Sequence, residues 1–375
     1  MSRQLQKIRL SIVIPCYNEE KTLQDCVERV LTIQDENLEL ELIIVDDCSK
    51  DKSREIAERL KSKNFGIKVL KHEINQGKGA ALHSGFAHAT GDFVAVQDAD
   101  LEYDPFELKK LLVPLIENKA DVVIGSRFLS SGTHRVLYFW HSVGNRLLTL
   151  LSNMLTDLNL SDMETCYKVF KREVIQTLDL KEKRFGFEPE VVAKIAQKRL
   201  RICEIGVSYY GRTYAEGKKI GMKDAWRALF CILKYNLNRV PWPMQMLFYL
   251  FIGGSAAVIN LGFFLGLQYL EIPLVWSTGI SFTVAAAFNY ILCILLMFRH
   301  RARWNSSLEV IIFLLVVAVV GVVDYFSTQF LIGHSISAGV SKILASGIGL
   351  ILNFSGRKWL VFPEPVNENW KPQNT

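Results

Sequence analysis

The sequence predicts an α/β domain with a mostly parallel sheet, followed by an all-α domain of four membrane-spanning helices. Three observations carry that expectation. Residues 10–127 alternate short apolar strands with helical repeats, the order of a parallel sheet covered on both faces. The strands end in polar clusters, which such a fold gathers along one edge of the sheet. The apolar excess behind the mean hydropathy of +0.17 lies almost entirely after residue 244.

Strands are expected at 10–15, 40–45, 66–71, 92–97 and 121–125, each a short apolar run. Between the first two, Leu23, Cys26, Val27, Val30 and Leu31 recur at helical spacing. Residues 80–89 and 105–116 read as further crossover helices. At the strand ends stand Pro15-Cys16-Tyr17-Asn18-Glu19, Asp46-Asp47-Cys48-Ser49-Lys50-Asp51, Asp98-Ala99-Asp100 and Gly125-Ser126-Arg127. The third cluster is the most informative. A buried strand, Phe93 to Gln97, runs straight into Asp98 and Asp100, with Glu102 just beyond. Carboxylates so close repel one another unless a hard divalent cation sits among them, so Mg2+ or Mn2+ is expected. No G-x-G-x-x-G follows the first strand, which argues against a dinucleotide site. Gly77-Lys78-Gly79 imitates part of a phosphate-binding loop, but Gly79 stands where that loop needs Ser or Thr.

The 375 residues suggest two or three domains, and the net charge of +6 fits nucleic acid or an anionic membrane equally well. Seven cysteines without a C-x-x-C pair argue for a reducing compartment and against both a disulfide framework and a zinc site. Residues 1–9 are polar and lack a signal-peptide core, so the first half is expected to stay where it is made.

Taken in order, Pro15 to Glu19, Asp46-Asp47 with Ser49 and Asp51, Asn75 with Gly77-Lys78-Gly79, Asp98 to Glu102, and Gly125-Ser126-Arg127 resemble glycosyltransferase family 2. The resemblance covers about residues 8–240. It is strongest to the dolichyl-phosphate mannose synthase and polyprenyl-phosphate glucosyltransferase branch. It implies a GT-A, Rossmann-like fold and inverting transfer of a hexose from GDP-mannose or UDP-glucose to a polyprenyl phosphate. By motif, Pro15, Tyr17, Glu19 and Asp47 would hold the nucleoside, with Val45 and Ala99 also against the nucleotide sugar. Asp98, Asp100 and Glu102 would hold the metal and diphosphate. Lys78, Arg127, Arg212 and Lys218 would face phosphates, with Lys219 a near alternative to Lys218, and Asp162 would orient the acceptor. Two departures stand out: many members carry Gln where this chain has Glu102, and their Ser-Gly-Phe segment is replaced here by Asp162 to Lys168.

Each assignment has a plainer rival. Asp46 or Asp47 could cap the helix at Ser53, with the other meeting ribose or base. Lys78 could be a solvated charge, Arg127 one arm of a salt bridge, and Asp162 a turn cap. Arg212, Lys218 and Lys219 could serve only to attract a membrane surface. An acceptor phosphate is already an anion at neutral pH, so no strong general base is expected.

Residues 246–270, 274–298, 308–331 and 336–352 are apolar enough to be read as spans. Arg299, His300, Arg301 and Arg303 between the second and third, with Arg357 and Lys358 after the fourth, put both chain ends in the cytoplasm. The spans look like a duplicated hairpin, since Asn289, Phe298 and Asn260 answer Asn353, Phe362 and Asp324 at a common offset of 64 residues. This part resembles the GtrA-like membrane family. Asp324 and Lys342 are expected to form an intramembrane ion pair. Residues 136–158 and 223–237 are amphipathic and could pack on the core or lie in the membrane interface. The expected division is a catalytic domain at 1–215, a juxtamembrane linker at 216–243, a four-span domain at 244–365 and a tail at 366–375. Expected partners are the nucleotide sugar, the polyprenyl phosphate and the bilayer, with a homo-oligomer compatible and no nucleic acid. Rival readings are a polysaccharide synthase with a sugar acceptor and a lipid-linked sugar transporter whose soluble half senses nucleotide sugar.

Overall fold

The computed structural model describes residues 7–129, 135–136, 138–212, 221–237, 240, 242–298, 306–336 and 338–361. It divides into two compact units with the boundary after Ile232.

The first unit is built on seven strands: β1 (Ile8–Cys16), β2 (Leu38–Asp46), β3 (Ile67–Lys71), β4 (Phe93–Val96), β5 (Val122–Ser126), β6 (Lys168–Lys171) and β7 (Ile202–Gly206). Its helices are α1 (Leu23–Leu31), α2 (Ser53–Lys63), α3 (Lys78–His88), α4 (Leu108–Ile116), α5 (Phe139–Thr156), α6 (Arg172–Gln176) and α7 (Phe187–Gln197). Helix α8 (Met222–Asn236) crosses the boundary. The sheet order is β3-β2-β1-β4-β6-β5-β7, parallel throughout except for β6, which runs antiparallel to both of its neighbours. The expected mostly parallel sheet is therefore present. The five expected strands are all there, and β6 and β7 are additions.

The continuous apolar runs Ile12-Val13-Ile14 and Leu42-Ile43-Ile44-Val45 are buried from end to end because helices cover both faces. Ile12, Ile14, Leu42 and Ile44 join the cluster that Leu23, Cys26, Val27 and Val30 of α1 complete. On α1 these four recur at helical spacing, so one stripe of the helix is buried and the rest is wet. Elsewhere Phe86 of α3 packs against Phe170 of β6 and Phe187 of α7, with ring centroids 6.3 and 5.9 Å apart.

The chain lays β2 and β3 to one side of β1 and then returns to place β4 on the other. Strand order thus reverses between β1 and β4, and the carboxyl ends on either side of that point frame a crevice. The register sets Cys16 beside Asp46 and Val13 beside Val96, so Asp98 emerges at this switch point.

The second unit holds α9 (Trp242–Tyr269), α10 (Leu274–Leu292), α11 (Ser306–Gly333) and α12 (Ala338–Gly356). The repeat expected from sequence is visible in the element bounds. Helices α9 and α11 start and end 64 residues apart (306 − 242 and 333 − 269), as do α10 and α12 (338 − 274 and 356 − 292). Tyr249, Ile252, Cys293, Val316, Phe354 and Val361 form its small core, while Phe251, Val258, Val319 and Phe326 point outward. Among the described residues one helix, Pro243–Tyr269, is long and apolar enough by itself to cross a membrane. Its 27 residues extend about 40 Å at 1.5 Å each, more than a bilayer's apolar thickness. The side chains of Asp324 and Lys342, the sequence-expected ion pair, lie outside the described residues, as do Arg299, His300, Arg301 and Arg303.

Candidate active site

Strand β4 delivers its carboxylates through a sharp turn in which Leu101 adopts the left-handed conformation, φ 61°. A branched residue there costs conformational energy, which the surrounding packing must offset. Burial, then the charges of Asp98 and Glu102, push the Asp100 carboxyl up to about 7, against the pull of Arg212 and Lys78. Burial also opposes ionisation of Asp98, but Lys78, with help from Cys166 and Lys168, holds that carboxyl below its usual range. Lys78 Nζ lies 2.9 Å from Asp98 Oδ1, 2.8 Å from Cys166 Sγ and 3.5 Å from Glu188 Oε1. The solvated-charge reading of Lys78 does not hold.

Lys78 opens α3, and the glycines beside it explain how it gets there. Gly77 has φ 98°, and a Cβ on Gly79 would sit 2.2 Å from the Glu182 carbonyl oxygen. The loop therefore presses on the backbone of residues 182–184, and Ala80 N donates to Lys183 O at 3.0 Å. What resembled part of a phosphate loop is a close-packed turn that aims Lys78 at the acidic edge.

Asp47 braces the same loop. Its Oδ1 is 2.7 Å from His72 Nδ1 and accepts from Gln76 N at 2.9 Å, and its Oδ2 accepts from Gly77 N at 2.7 Å. Asp46 closes a turn on Ser49 N, and Asp51 accepts from Ser53 N at the start of α2. Neither Asp46 nor Asp47 caps that helix. Pro15 is the penultimate residue of β1, Val45 and Ala99 are buried, and Tyr17 stands 37 % exposed just past β1.

Arg212 bridges the acidic turn to the first strand's loop. Its Nη2 donates to Glu19 Oε2 and to the Asp100 carbonyl, each at 3.0 Å. Glu102 secures this arrangement: Oε2 accepts from Tyr209 Oη at 2.6 Å and Oε1 from Arg212 N at 2.7 Å. The expected three-carboxylate metal set is accordingly not brought together. Among the described residues no three His, Cys, Asp or Glu side chains converge as metal ligands. The reason is local, since Lys78 occupies Asp98 while Tyr209 and Arg212 occupy Glu102. Asp98 and Asp100 fit a cation that substrate phosphates help to hold, because Mg2+ is commonly shared between one or two carboxylates and phosphates.

Arg127 and Asp162 meet in a buried, two-pronged ion pair. Arg127 Nε and Nη2 donate to Asp162 Oδ2 and Oδ1 at 2.6 and 2.7 Å, and Asn145 Nδ2 adds a third bond at 3.0 Å. Arg127 N also donates to Asp162 Oδ2, and the guanidinium lies over the Tyr209 ring at 5.2 Å. The salt-bridge reading of Arg127 is what the geometry displays, and its planar fork is spent on Asp162. Lys218 and Lys219 lie outside the described residues.

Sequence reasoning passed over Cys166, Glu188 and Tyr209, which contact Lys78, Glu102 or Arg127. Glu188 stands at the start of α7 and Tyr209 follows β7, far along the chain from the motifs they touch. The one available signal was an unusual density of polar residues in the segment from Asp162 to Lys168.

Residues 11–179 match the family model described as Glycosyl transferase family 2, and residues 248–362 match GtrA/DPMS, transmembrane domain. A dolichol-phosphate mannosyltransferase of Pyrococcus furiosus is 25 % identical over 93 % of this chain and 97 % of its own. A dolichyl-phosphate beta-glucosyltransferase of Trichomonas vaginalis is 31 % identical over 54 % of this chain and 66 % of its own. Among solved structures, glucosyl-3-phosphoglycerate synthase of Mycobacterium tuberculosis, in complex with Mn2+, UDP and glucosyl-3-phosphoglycerate, aligns at 20 % identity with a TM-score of 0.48. That alignment covers 61 % of this chain and 80 % of the other. The chain thus carries a family 2 glycosyltransferase domain followed by a GtrA/DPMS transmembrane domain.

Proposed function

We propose that the protein is a divalent-metal-dependent, inverting enzyme that moves a hexose from GDP-mannose or UDP-glucose onto a polyprenyl phosphate. The observation that carries this reading is the acidic pair Asp98 and Asp100 at the switch point, with Lys78 on Asp98 and Arg212 on the Asp100 carbonyl beside it. The names of the Pyrococcus and Trichomonas relatives supply the acceptor class.

The chemistry asks for this distribution of charge. A donor diphosphate and an acceptor phosphate each bring about two negative charges to one place. Mg2+ or Mn2+ held by Asp98 and Asp100 would stabilise the departing diphosphate as a Lewis acid. Arg212, tethered by Glu102 and Tyr209, keeps a second cation beside that position. Lys78 balances Asp98 at the end of the turn that Asp47 braces. Lys218 is assigned to the acceptor phosphate, and Glu19, Pro15, Val45 and Ala99 to the nucleoside. Arg127 and Asp162 work as a unit that fixes the floor of the site. The acceptor oxygen is an anion already, so attack on the anomeric carbon needs no side-chain base.

Helix α5 supports a membrane-borne acceptor. Its buried face carries Thr149, Ser152 and Leu155, whereas Phe139, Trp140, Leu147, Leu150 and Met154 point outward. A helix that turns its large apolar side chains away from its own domain suits the lipid interface, which favours the interfacial reading of residues 136–158. Trp226 on α8 is likewise exposed. Four spans, with the catalytic unit and both termini cytoplasmic, complete the proposal.

The test is direct. Purified protein is given each labelled nucleotide sugar, polyprenyl phosphate and either Mg2+ or Mn2+. An acid-labile glycolipid should form only with the cation, and Asp100→Ala should abolish it. Undiminished product from Asp100→Ala would remove the basis of the reading.

A further inference from the structure

The segment from Asp162 to Lys168 is pinned on both sides of Glu164. Asp162 is locked to Arg127, and Met163 N donates to Thr149 Oγ1 at 3.2 Å. Cys166 N donates to Tyr103 Oη at 3.3 Å, and the buried Lys168 ammonium donates to the carbonyls of Met163 and Thr165. Amid this network Glu164 Oε1 is shut off from solvent and has no hydrogen-bond partner in the protein. It is the one carboxylate oxygen in that condition among the described residues. Leaving such a group unpaired is costly.

Its surroundings indicate what would pair with it. Glu164 shares its environment with Glu188, Lys168, Arg127 and Asp162, and burial with the nearby Glu188 pushes its carboxyl up to about 8. Glu188 in turn lies 3.5 Å from Lys78, which reaches Asp98 at 2.9 Å. Two adjacent glutamates would repel a phosphate. A carboxyl that keeps its proton both donates and accepts, as a hydroxyl does. In the donor, the sugar follows directly after the diphosphate assigned to Asp98 and Asp100.

We propose that Glu164, backed by Glu188, hydrogen-bonds a hydroxyl of the donor hexose and thereby sets which sugar the enzyme accepts. This rests on the nucleotide-sugar reading above and adds a specificity residue where the chain departs from its family's Ser-Gly-Phe segment. A site built around a hydroxyl discriminates strongly, because a sugar lacking it leaves the buried partner unpaired.

The experiment measures affinity for GDP, UDP, GDP-mannose and UDP-glucose in the full-length protein with Mn2+, so that turnover is not required. The quantity read is the gain in affinity that the sugar adds to its nucleoside diphosphate. Glu164→Leu should lower that gain about tenfold or more while leaving diphosphate affinity within about twofold, and Glu164→Gln should restore most of it. A folded Glu164→Leu variant that keeps the full gain overturns the proposal, as does a wild-type protein to which the sugar adds no affinity. Should Glu164→Leu not fold, infrared difference spectra of the wild type decide. The protonated-carboxyl band should move with the nucleotide sugar but not with the diphosphate, and should be missing from Glu164→Gln; an unmoved band overturns the idea. Failure of every nucleotide to bind would instead sink the donor reading itself.

Discussion

Replacing Asp162 by Asn tests whether the buried ion pair is structural. The Asp162 side chain is fully buried and Arg127 17 % exposed, so the lost charge cannot be replaced by water. Asn keeps one acceptor but turns amide hydrogens toward the guanidinium, leaving Arg127 as an uncompensated buried cation. Removing one partner of such a pair costs about 3–5 kcal/mol, because the desolvation of the survivor is no longer offset. For a unit of this size that lowers the melting midpoint by about 10 °C. Denaturation of the detergent-solubilised protein, followed by circular dichroism, reads it out. Adding Arg127→Met should recover part of the loss, since it removes the stranded charge. The pH dependence has a definite sign. The Asp162 carboxyl lies below its ordinary range: burial alone would raise it, but Arg127, then Asn145, hold it down. Its contribution is thus complete above about pH 4, the unfolded value, and disappears as the pH falls through the depressed folded value. A midpoint within about 2 °C of wild type, together with lost turnover, would refute this reasoning and place Asp162 on the substrate instead.

Three other changes probe the same architecture. Glu102→Gln keeps one acceptor oxygen where Tyr209 and Arg212 N now use two, so the Arg212 anchor should weaken by about 1 kcal/mol while Mn2+ affinity measured by titration calorimetry stays within about threefold; a collapse of Mn2+ affinity would make Glu102 a ligand after all. Gly79→Ala drives a Cβ to 2.2 Å from the Glu182 carbonyl oxygen and should cost about 1–3 kcal/mol and reduce nucleotide-sugar affinity through Lys78; an unshifted melting curve would count against the close-packed turn. Serine at both Phe139 and Trp140 should raise KM for polyprenyl phosphate several-fold and leave KM for the nucleotide sugar unchanged, and an equal rise in both would argue that α5 serves the catalytic unit alone.

Much of the architecture could be read without coordinates because it is written in local pattern. Five strands, the helix carrying Leu23 to Val30, the acidic turn after β4 and the 64-residue repeat each follow from periodicity or spacing within one stretch of chain. Strands β6 and β7 escaped notice for the opposite reason. Lys168–Lys171 is four residues long with a lysine at each end, and only its insertion between β4 and β5 makes it a strand.

The one-dimensional order of residues was enough to establish the layered domain, the carboxylates at its edge and the apolar second half, since backbone geometry and water's rejection of apolar surface act on short segments. The three-dimensional packing alone decided who partners whom: Lys78 with Asp98, Arg127 with Asp162, and Arg212 with Glu19 across 193 residues. Those choices depend on removing charges from water together. A buried charge is stable only where another chain segment happens to bring its complement, and that meeting exists only once the sheet has been assembled.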